Sequence, residues 1–532
     1  MELHKLIRYT FLFASIGTLA ACSSADTGTA TTPAAPTPVT VTGSVFASNV
    51  NGATVTVKDG SGKTVATETT KADGTYSVDM LNTDLTSDLI FESTGGIFDD
   101  EATGAGGVGT SAGAMSAFVT GGTLASGDSV HVTPGTTITA DLATNHNRTQ
   151  TQASTDFSSA FGYNPNISVQ PVDITTDAAL SASDESRFSG FYAATFSQLA
   201  NNVGLTADQQ FSMFSDMAKD LADGKLDGLD SLNNPVTIGT SANILTDYID
   251  TVGSYKTAET QTYKVTYIPS SMMTFHGKAQ FQISVTDKND IPVPNLVTSG
   301  DLKVMPMMYM NAGHKHATPK GEITESGTDG TYDVTIYYVM ASRMGAMENF
   351  RAMGTWDLKV MIGMESVHFY PNIMMAMGDT VVTQLKAQNT GTDTVINMDG
   401  LEESRTYLIF REDLDLSGTA TDATFEMFLA TRDTMMDFPV VDEGETLDSV
   451  AGPITLSTVD VQVSTDGTTF NSASNPNNST GYFSRPNMDI SAGKIYVKLT
   501  VDGELKTTNG LPADNSTDPD DTNMHAVFTV TP

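Results

Sequence analysis

The chemistry-bearing residues of this sequence are concentrated in one window. Of its 26 methionines, fifteen lie between Met272 and Met377, together with four of the eight histidines, His276, His314, His316 and His368. The densest run is Met305-Pro306-Met307-Met308-Tyr309-Met310-Asn311-Ala312-Gly313-His314-Lys315-His316. A thioether is a neutral, polarizable donor that favours cuprous copper, and imidazole completes such sites. It has no proton to lose, so it stays competent in acidic or oxidising surroundings. The competing use of methionine is adaptable packing. Strand alternation separates the two uses in places. Val334, Ile336, Tyr338 and Met340 share a face, which assigns Met340 to a core. Trp356, Leu358, Val360 and Ile362 point inward and Met361 outward. In the run from Met305, Met305, Met307 and Tyr309 share one face and Met308 and Met310 the other, and both faces cannot meet the same core. Met344, Met347 and Met353 fall in or beside a polar, irregular stretch, 341–352. The expected ligands are Met308, Met310, His314 and His316, with Met305, Met307, Met344 and Met347 in second rank. A turn at 311–313 would return both histidines beside the two sulfurs. Residues 256–385 carry 10 Lys/Arg against 12 Asp/Glu, too even a balance to draw hard cations. The expectation is a copper site, cuprous and without thiolate, that buffers the ion or passes it to a donor or acceptor protein.

Other chemistries find less support. One cysteine in 532 residues rules out an intramolecular disulfide, a Cys-based zinc site and an iron–sulfur cluster. Gly109-Thr110-Ser111-Ala112-Gly113 has the spacing of a nucleophile elbow and resembles the patatin-like lipase motif. The elbow needs a buried strand before the serine, whereas the flexible run 102–107 precedes it and no matching Asp-Gly-Gly or Asp-Gly-Ala follows. The segment is expected to be a loop, no catalytic residue is assigned, and the chain is expected not to be an enzyme. The acids Asp220, Asp223, Asp227 and Asp230 lack the every-second-position spacing of an EF-hand and predict a helix end with a polar turn. Asp413-x-Asp415-x-Ser417-Gly418 has Thr424, not Glu, at its twelfth position, an incomplete calcium loop. With 27 Lys/Arg against 63 Asp/Glu, the net charge is −36, which repels nucleic acid.

The elements that must position these groups form a modular chain. Apolar content of 39%, charged content of 17% and 45 glycines suit short strands and turns. Residues 1–21 have a basic start, Lys5 and Arg8, and an apolar stretch, Thr10 to Ala20, too short to span a bilayer. They end in Leu19-Ala20-Ala21-Cys22, which resembles a bacterial lipoprotein lipobox. That resemblance implies cleavage before Cys22, an acyl-lipid (diacylglycerol) modification of its sulfur, and attachment to a membrane through lipid alone. Ser23 after the cysteine implies the outer membrane, with the periplasmic or surface face left open. Residues 22–38 are a Pro/Thr-rich tether. Residues 39–145 alternate with period two, and Gly52-Ala53-Thr54-Val55-Thr56-Val57 with Ala72-Asp73-Gly74-Thr75-Tyr76 resembles carboxypeptidase-regulatory-like, Ig-like modules. Residues 146–255 switch to helical period. Thr206-x-x-Gln209 is a capping box ahead of Phe211, Phe214, Met217 and Leu221, with Gly224 as a stop. A second helix carries Phe188, Phe191, Phe196, Leu199 and Val203. A third begins near Thr240, with Ile244, Leu245, Tyr248, Ile249 and Val252.

From Lys256 the chain repeats itself. Tyr263 to Pro269 parallels Tyr407 to Glu412, 279–283 parallels 423–427, Trp356 to Val360 parallels Ile495 to Leu499, and Val367-His368-Phe369 parallels Met524-His525-Ala526. Two tandem sandwiches follow, 256–385 rich in Met and His and 386–532 poor in both. Met305-Pro306-x-Met308-x-Met310 with Gly313-His314, then Gly330-Thr331-Tyr332, then Met353-Gly354-x-Trp356-x-Leu358-x-Val360, resembles the YtkA-like/FixH-like domains over about 255–380. These are Ig-like sandwiches of exported bacterial proteins often linked to copper handling. The departures are the insertion at 341–352 and the second histidine, His316. The expected fold is mainly β and multidomain, with Ig-like β-sandwiches separated by a helical segment. The expected function is a lipid-anchored, methionine-rich copper-binding protein. The alternative is a structural or adhesive surface lipoprotein of Ig-like modules with no metal.

Overall fold

The computed structural model describes residues 36–532, apart from 104, 111–113, 272, 312, 345–350, 390, 417–419, 476–479, 515 and 517, with backbone alone for 105–110. Cys22, Ser111, Met347 and the Ser417-Gly418 end of the acidic loop therefore lie outside the described residues.

The chain is mainly β and multidomain. Its N-terminal sandwich pairs a sheet of Thr75–Leu81, Pro38–Val45 and Ser129–Val132 with a sheet of Thr64–Thr69, Thr54–Asp59, Leu89–Thr94 and Met115–Val119. Alternation places Val39, Val41, Val55, Val57, Tyr76 and Val78 inside. Gly43 is required at the crossing of strands, because a Cβ there would lie 1.8 Å from the Val130 carbonyl oxygen. The same carbonyl accepts the Tyr76 hydroxyl at 2.6 Å.

The helical period begins earlier than the sequence pattern indicates. Pro134–Asn145 is already helix, started by Thr133, whose hydroxyl accepts from Thr136 N at 3.2 Å, and by Pro134 at the first position. Its weakly amphipathic Thr- and Ala-rich sequence hides the 3.6-residue period, and proline at the first turn is its main signal. Helices Gln150–Phe161, Asp184–Asn202, Gln210–Asp220 and Ile244–Gly253 follow. The last starts at an Asn243 cap rather than near Thr240. The Thr206–Gln209 box forms, with Thr206 N donating to Gln209 Oε1 at 2.9 Å. Gly224 ends that segment at φ +94°. Asp220 is buried there and accepts from Asp227 N at 3.0 Å and Gly228 N at 3.1 Å, so the acidic run folds back on itself as a turn. Helical Phe157, Phe161, Phe196, Phe214 and Tyr248 belong to the same core as Val41, Val55 and Phe91. The helices are thus a layer on the N-terminal sandwich, with no separate core.

The central sandwich sets a five-stranded sheet, in the order Thr257–Glu259, Tyr263–Pro269, Gly277–Asp287, Thr331–Tyr338, Lys320–Glu325, against a four-stranded one. The latter runs Lys315–His316, Leu302–Met310, Gly354–Ile362, Glu365–Phe369. The C-terminal sandwich repeats the arrangement. Val382–Lys386, Thr406–Asp415, Ala423–Thr431 and Tyr482–Met488 form one sheet in that order, and Val459–Ser464, Lys494–Val501 and Ala526–Thr529 are neighbours in the other. Each has its own core, and a smaller apolar cluster of Tyr337, Leu408, Phe410, Phe428 and Ala430 joins the two.

Candidate metal centre

Strand Leu302–Met310, the methionine strand, is buried on its inner face and partly covered on its outer face only toward its C-terminal end. Its inward residues Leu302, Val304, Pro306 and Met308 enter the central core, while Met305 is 42% exposed and Met307 half-buried. The outward Tyr309 stacks on Phe188 of helix Asp184–Asn202, with centroids 4.3 Å apart. Two different cores therefore meet the two faces at its C-terminal half, and apolar residues persist there without alternation. Pro306 is accommodated because its neighbour on that side, Lys315–His316, pairs only with Met308 and Tyr309.

The turn beyond the strand is fixed by polar contacts. Gly313, at φ +82°, donates its N–H to Met310 O at 3.0 Å, and Met310 N donates to His314 O at 2.9 Å. Asn311 Nδ2 donates to Ser158 O at 2.9 Å, and Asn164 Nδ2 to Asn311 O at 2.8 Å, which ties the turn to the helical layer. The returning segment places His316 opposite Met308, and Met308 is opposite Trp356 on its other side. His316, Met308 and Trp356 thus lie in one row across three strands, and none is more than 4% exposed.

The expected ligands are only partly brought together. Met308 and His316 share the buried inner face. Met310 is half-buried at the margin of the same core. His314 is exposed and lines a separate cavity of about 460 Å³ with Met310, Lys315, Phe188 and Glu185. Met344 is 42% exposed in a small hairpin of Arg343–Met344 with Arg351–Ala352. That insertion is anchored to the helical layer, where the buried Arg343 guanidinium donates to Ala160 O at 2.8 Å.

Met340 joins the centre from the opposite sheet. Its Sδ lies 3.3 Å from His316 Nε2, and its carbonyl accepts the Trp356 indole N–H at 3.1 Å. Alternation carries Val334, Ile336 and Tyr338 into the core, but Met340 lies beyond the end of its strand and is only half-buried. His316 Nδ1 is 2.7 Å from the Ala317 carbonyl oxygen. A carbonyl only accepts, so Nδ1 carries the proton, and the neutral ring presents an Nε2 lone pair toward the sulfur. Burial holds His316 below its ordinary value, the Arg432 charge pushes the same way, and the Ala317 contact opposes both. No sequence pattern pairs Met340 with His316, because they come from different sheets.

A second polar group lies on the outer face of the same sheet. His368 Nδ1 is 2.9 Å from the buried Asp357 carboxylate, and Lys359 Nζ donates to Asp184 at 3.0 Å. Asp184 is the first residue of the docking helix, where a carboxylate also meets the positive end of the helix dipole. No local pattern signals this contact, since Asp184 and Lys359 lie far apart along the chain.

No family model matches the chain, and no curated protein does. Among solved structures, domains 5-6 of the S-layer protein SbsC match at 14% identity and TM-score 0.15, covering 50% of this chain and 96% of that one. Titin domains A168-A170 match at 9% identity and TM-score 0.13, covering 46% and 94%. A conserved domain protein from Bacillus anthracis matches at 11% identity and TM-score 0.18, covering 51% and 86%. At these TM-scores nothing about the activity of this chain follows. Among the described residues, no helix is long and apolar enough to cross a membrane.

Proposed function

We propose that the protein is a non-catalytic surface array of β-sandwiches, held to the bacterial outer membrane by lipid on Cys22 and built to keep its modules in fixed relation. The observation that carries this reading is the nature of the junctions. The helical layer meets the central sandwich through the Phe188–Tyr309 stack, a Phe191–Tyr370 stack at 3.8 Å, the buried Tyr192–Thr355 hydroxyl pair, and Thr355 donating to Gly162 O at 3.0 Å. The central and C-terminal sandwiches meet at Tyr337, which is fully buried, stacks on Phe428 at 4.1 Å, and bonds the Glu412 carboxylate. Lys278 pairs with the same carboxylate. Flexible linkers between independent domains leave junctions small and mobile, whereas these junctions bury aromatic rings and satisfy polar groups on both sides.

Small-angle scattering of the chain without residues 1–22 tests the rigidity. A single arrangement should fit the data, and Tyr337→Ala should broaden it into an ensemble. Data from the unmodified chain that require freely jointed sandwiches would overturn the reading. Labelling with radioactive palmitate tests the anchor, which Cys22→Ser should abolish along with membrane retention.

The copper expectation has a narrower support than the methionine count. It rests on the contact between the Met340 thioether and the His316 imidazole.

A further inference from the structure

We propose that His316 Nε2 and Met340 Sδ form a binding site for a single soft monovalent cation, of which cuprous copper is the physiological chemistry, beside the junction of the central and C-terminal sandwiches. The two atoms are 3.3 Å apart. The proton of the neutral ring is committed to the Ala317 carbonyl through Nδ1, so no hydrogen lies between nitrogen and sulfur. Two lone-pair-bearing atoms then lie in contact with no proton between them, and an electrophile seated beside both relieves that contact. With legs of about 2.0 Å to imidazole nitrogen and about 2.3 Å to sulfur, the lengths of ordinary first-row sites, a 3.3 Å separation corresponds to an angle of roughly 100° at the metal. The pair is thus spaced as two ligands of one ion with little movement.

The surroundings select the charge and softness of that ion. Met308, the register partner of His316, lies on the same buried face as a further thioether. Among the described residues no group of three His, Cys, Asp or Glu side chains is placed to hold a metal. Arg432 brings its guanidinium near enough to bear on His316, and its Nη1 lies 3.7 Å from Met435 Sδ. Arg432 is itself paired with the Glu403 carboxylate, so its charge does not decide between ions. Hard ions seek oxygen ligands, which the imidazole and the thioether do not supply. A monovalent ion on neutral nitrogen and sulfur ligands brings the least charge into this enclosed position. Access is from the side of Met340, which is half-buried while His316 and Trp356 are enclosed. The C-terminal sandwich closes the other side, where Ala317 N donates to Met435 O at 2.7 Å. This site differs from the sequence-based set by gaining Met340 and losing Met310 and the exposed His314, and it stands independently of the structural reading above.

The experiment is an anaerobic competition between the purified full chain and a chromogenic cuprous chelator. One equivalent of Cu⁺ should transfer to the protein. Met340→Leu, which keeps the volume and the fold, should weaken retention at least tenfold, and His316→Gln at least a hundredfold. Met305→Leu and Met364→Leu should leave retention unchanged. X-ray absorption of the loaded protein should show nitrogen and sulfur neighbours. Because His316→Gln alone could disturb packing, Met340→Leu decides the matter, with its metal-free melting temperature confirming the fold. No transfer to the unmodified chain, undiminished retention by Met340→Leu, or displacement by equimolar Zn²⁺ would each overturn the proposal.

Discussion

The central and C-terminal sandwiches share most of a strand order yet fill it with different residues. In the central one, the methionine strand buries Val304, Pro306 and Met308 on its inner face, and its outer face leaves Met305 exposed, Met307 half-buried and Tyr309 against Phe188. In the C-terminal one, the matching strand Val459–Ser464 buries Val461 and Val463 and leaves Asp460 exposed and Gln462 half-exposed. Val459 is buried with them, and Ser464 is buried at the end of the outer face. The outer face of the valine strand is thus no less covered than that of the methionine strand, and coverage does not account for the methionines. Of the described methionines in the 272–377 window only Met308 is fully buried, while Met273, Met305, Met344, Met364, Met375 and Met377 are each at least 42% exposed. Core packing does not explain those six.

The C-terminal sandwich has a different internal device. Arg405 is fully buried, with its guanidinium on the Asp393 and Asp433 carboxylates, while Lys506 Nζ reaches Asp393 at 3.2 Å and Tyr407 donates to it at 2.6 Å. The central core has aromatic and thioether contacts in place of such a network. Replacing Arg405 by Met leaves Asp433 without its cation, while Asp393 keeps Lys506 and Tyr407, and should cost about 3–5 kcal/mol. Hydrogen exchange should show the loss in 406–431 and spare 277–287. Equal losses in both would mean that the sandwiches unfold as one unit, and the comparison would fail.

Met308→Ala comes next. It opens a cavity between His316 and Trp356 and should cost about 2–4 kcal/mol in the central sandwich, while Met308→Leu should cost under about 1.5 kcal/mol. Chemical denaturation resolves the two.

Acidification should act on both sandwiches with the same sign. Burial holds His316 and His525 below the ordinary histidine value. Their unfolded forms protonate as the pH falls through about 6.5, before the folded forms do. Stability is therefore fully present above that pH and is lost as the pH falls toward the folded values. Melting temperatures measured between pH 7.5 and 5 check this. The fall should shrink in His525→Gln for the C-terminal sandwich alone, and stability rising with acid would contradict the burial of both rings.

The smallest effect should come from exposed methionine. Met364, 98% exposed, changed to Gln should shift stability by less than about 0.5 kcal/mol. A larger loss would show that this side chain has a partner.

Much of the local structure was legible because strand and helix periods are local rules. Inward Trp356, Leu358, Val360 and Ile362, the Thr206 capping box with Phe211, Phe214, Met217 and Leu221, and the split of Met308 from Met305 and Tyr309 all follow from spacing along one element. On that strand Met308 is buried and Met305 exposed, as alternation requires, and only at Tyr309 does the helix bearing Phe188 supply a second core to the outer face. The helix from Pro134 was missed because its threonines and alanines carry almost no period. Within the candidate centre, spacing along the chain placed His316 beside Met308, since a tight turn joins their strands. It also grouped His314 with them, although the hairpin leaves that side chain exposed at the turn.

By itself, then, the sequence determined the mainly β class, the faces of its strands, the single cysteine at the lipobox-like site, and the concentration of thioethers in one sandwich. These depend on residue type and on neighbours two to four positions away. Only the tertiary structure decided that the helices form a layer on the N-terminal core, that Arg343 and Asn311 fasten the central sandwich to it, and that Met340 lies 3.3 Å from His316. Those contacts join residues from different sheets or modules, and the free energy that selects them comes from burial and polar satisfaction summed over whole faces, which no local period encodes.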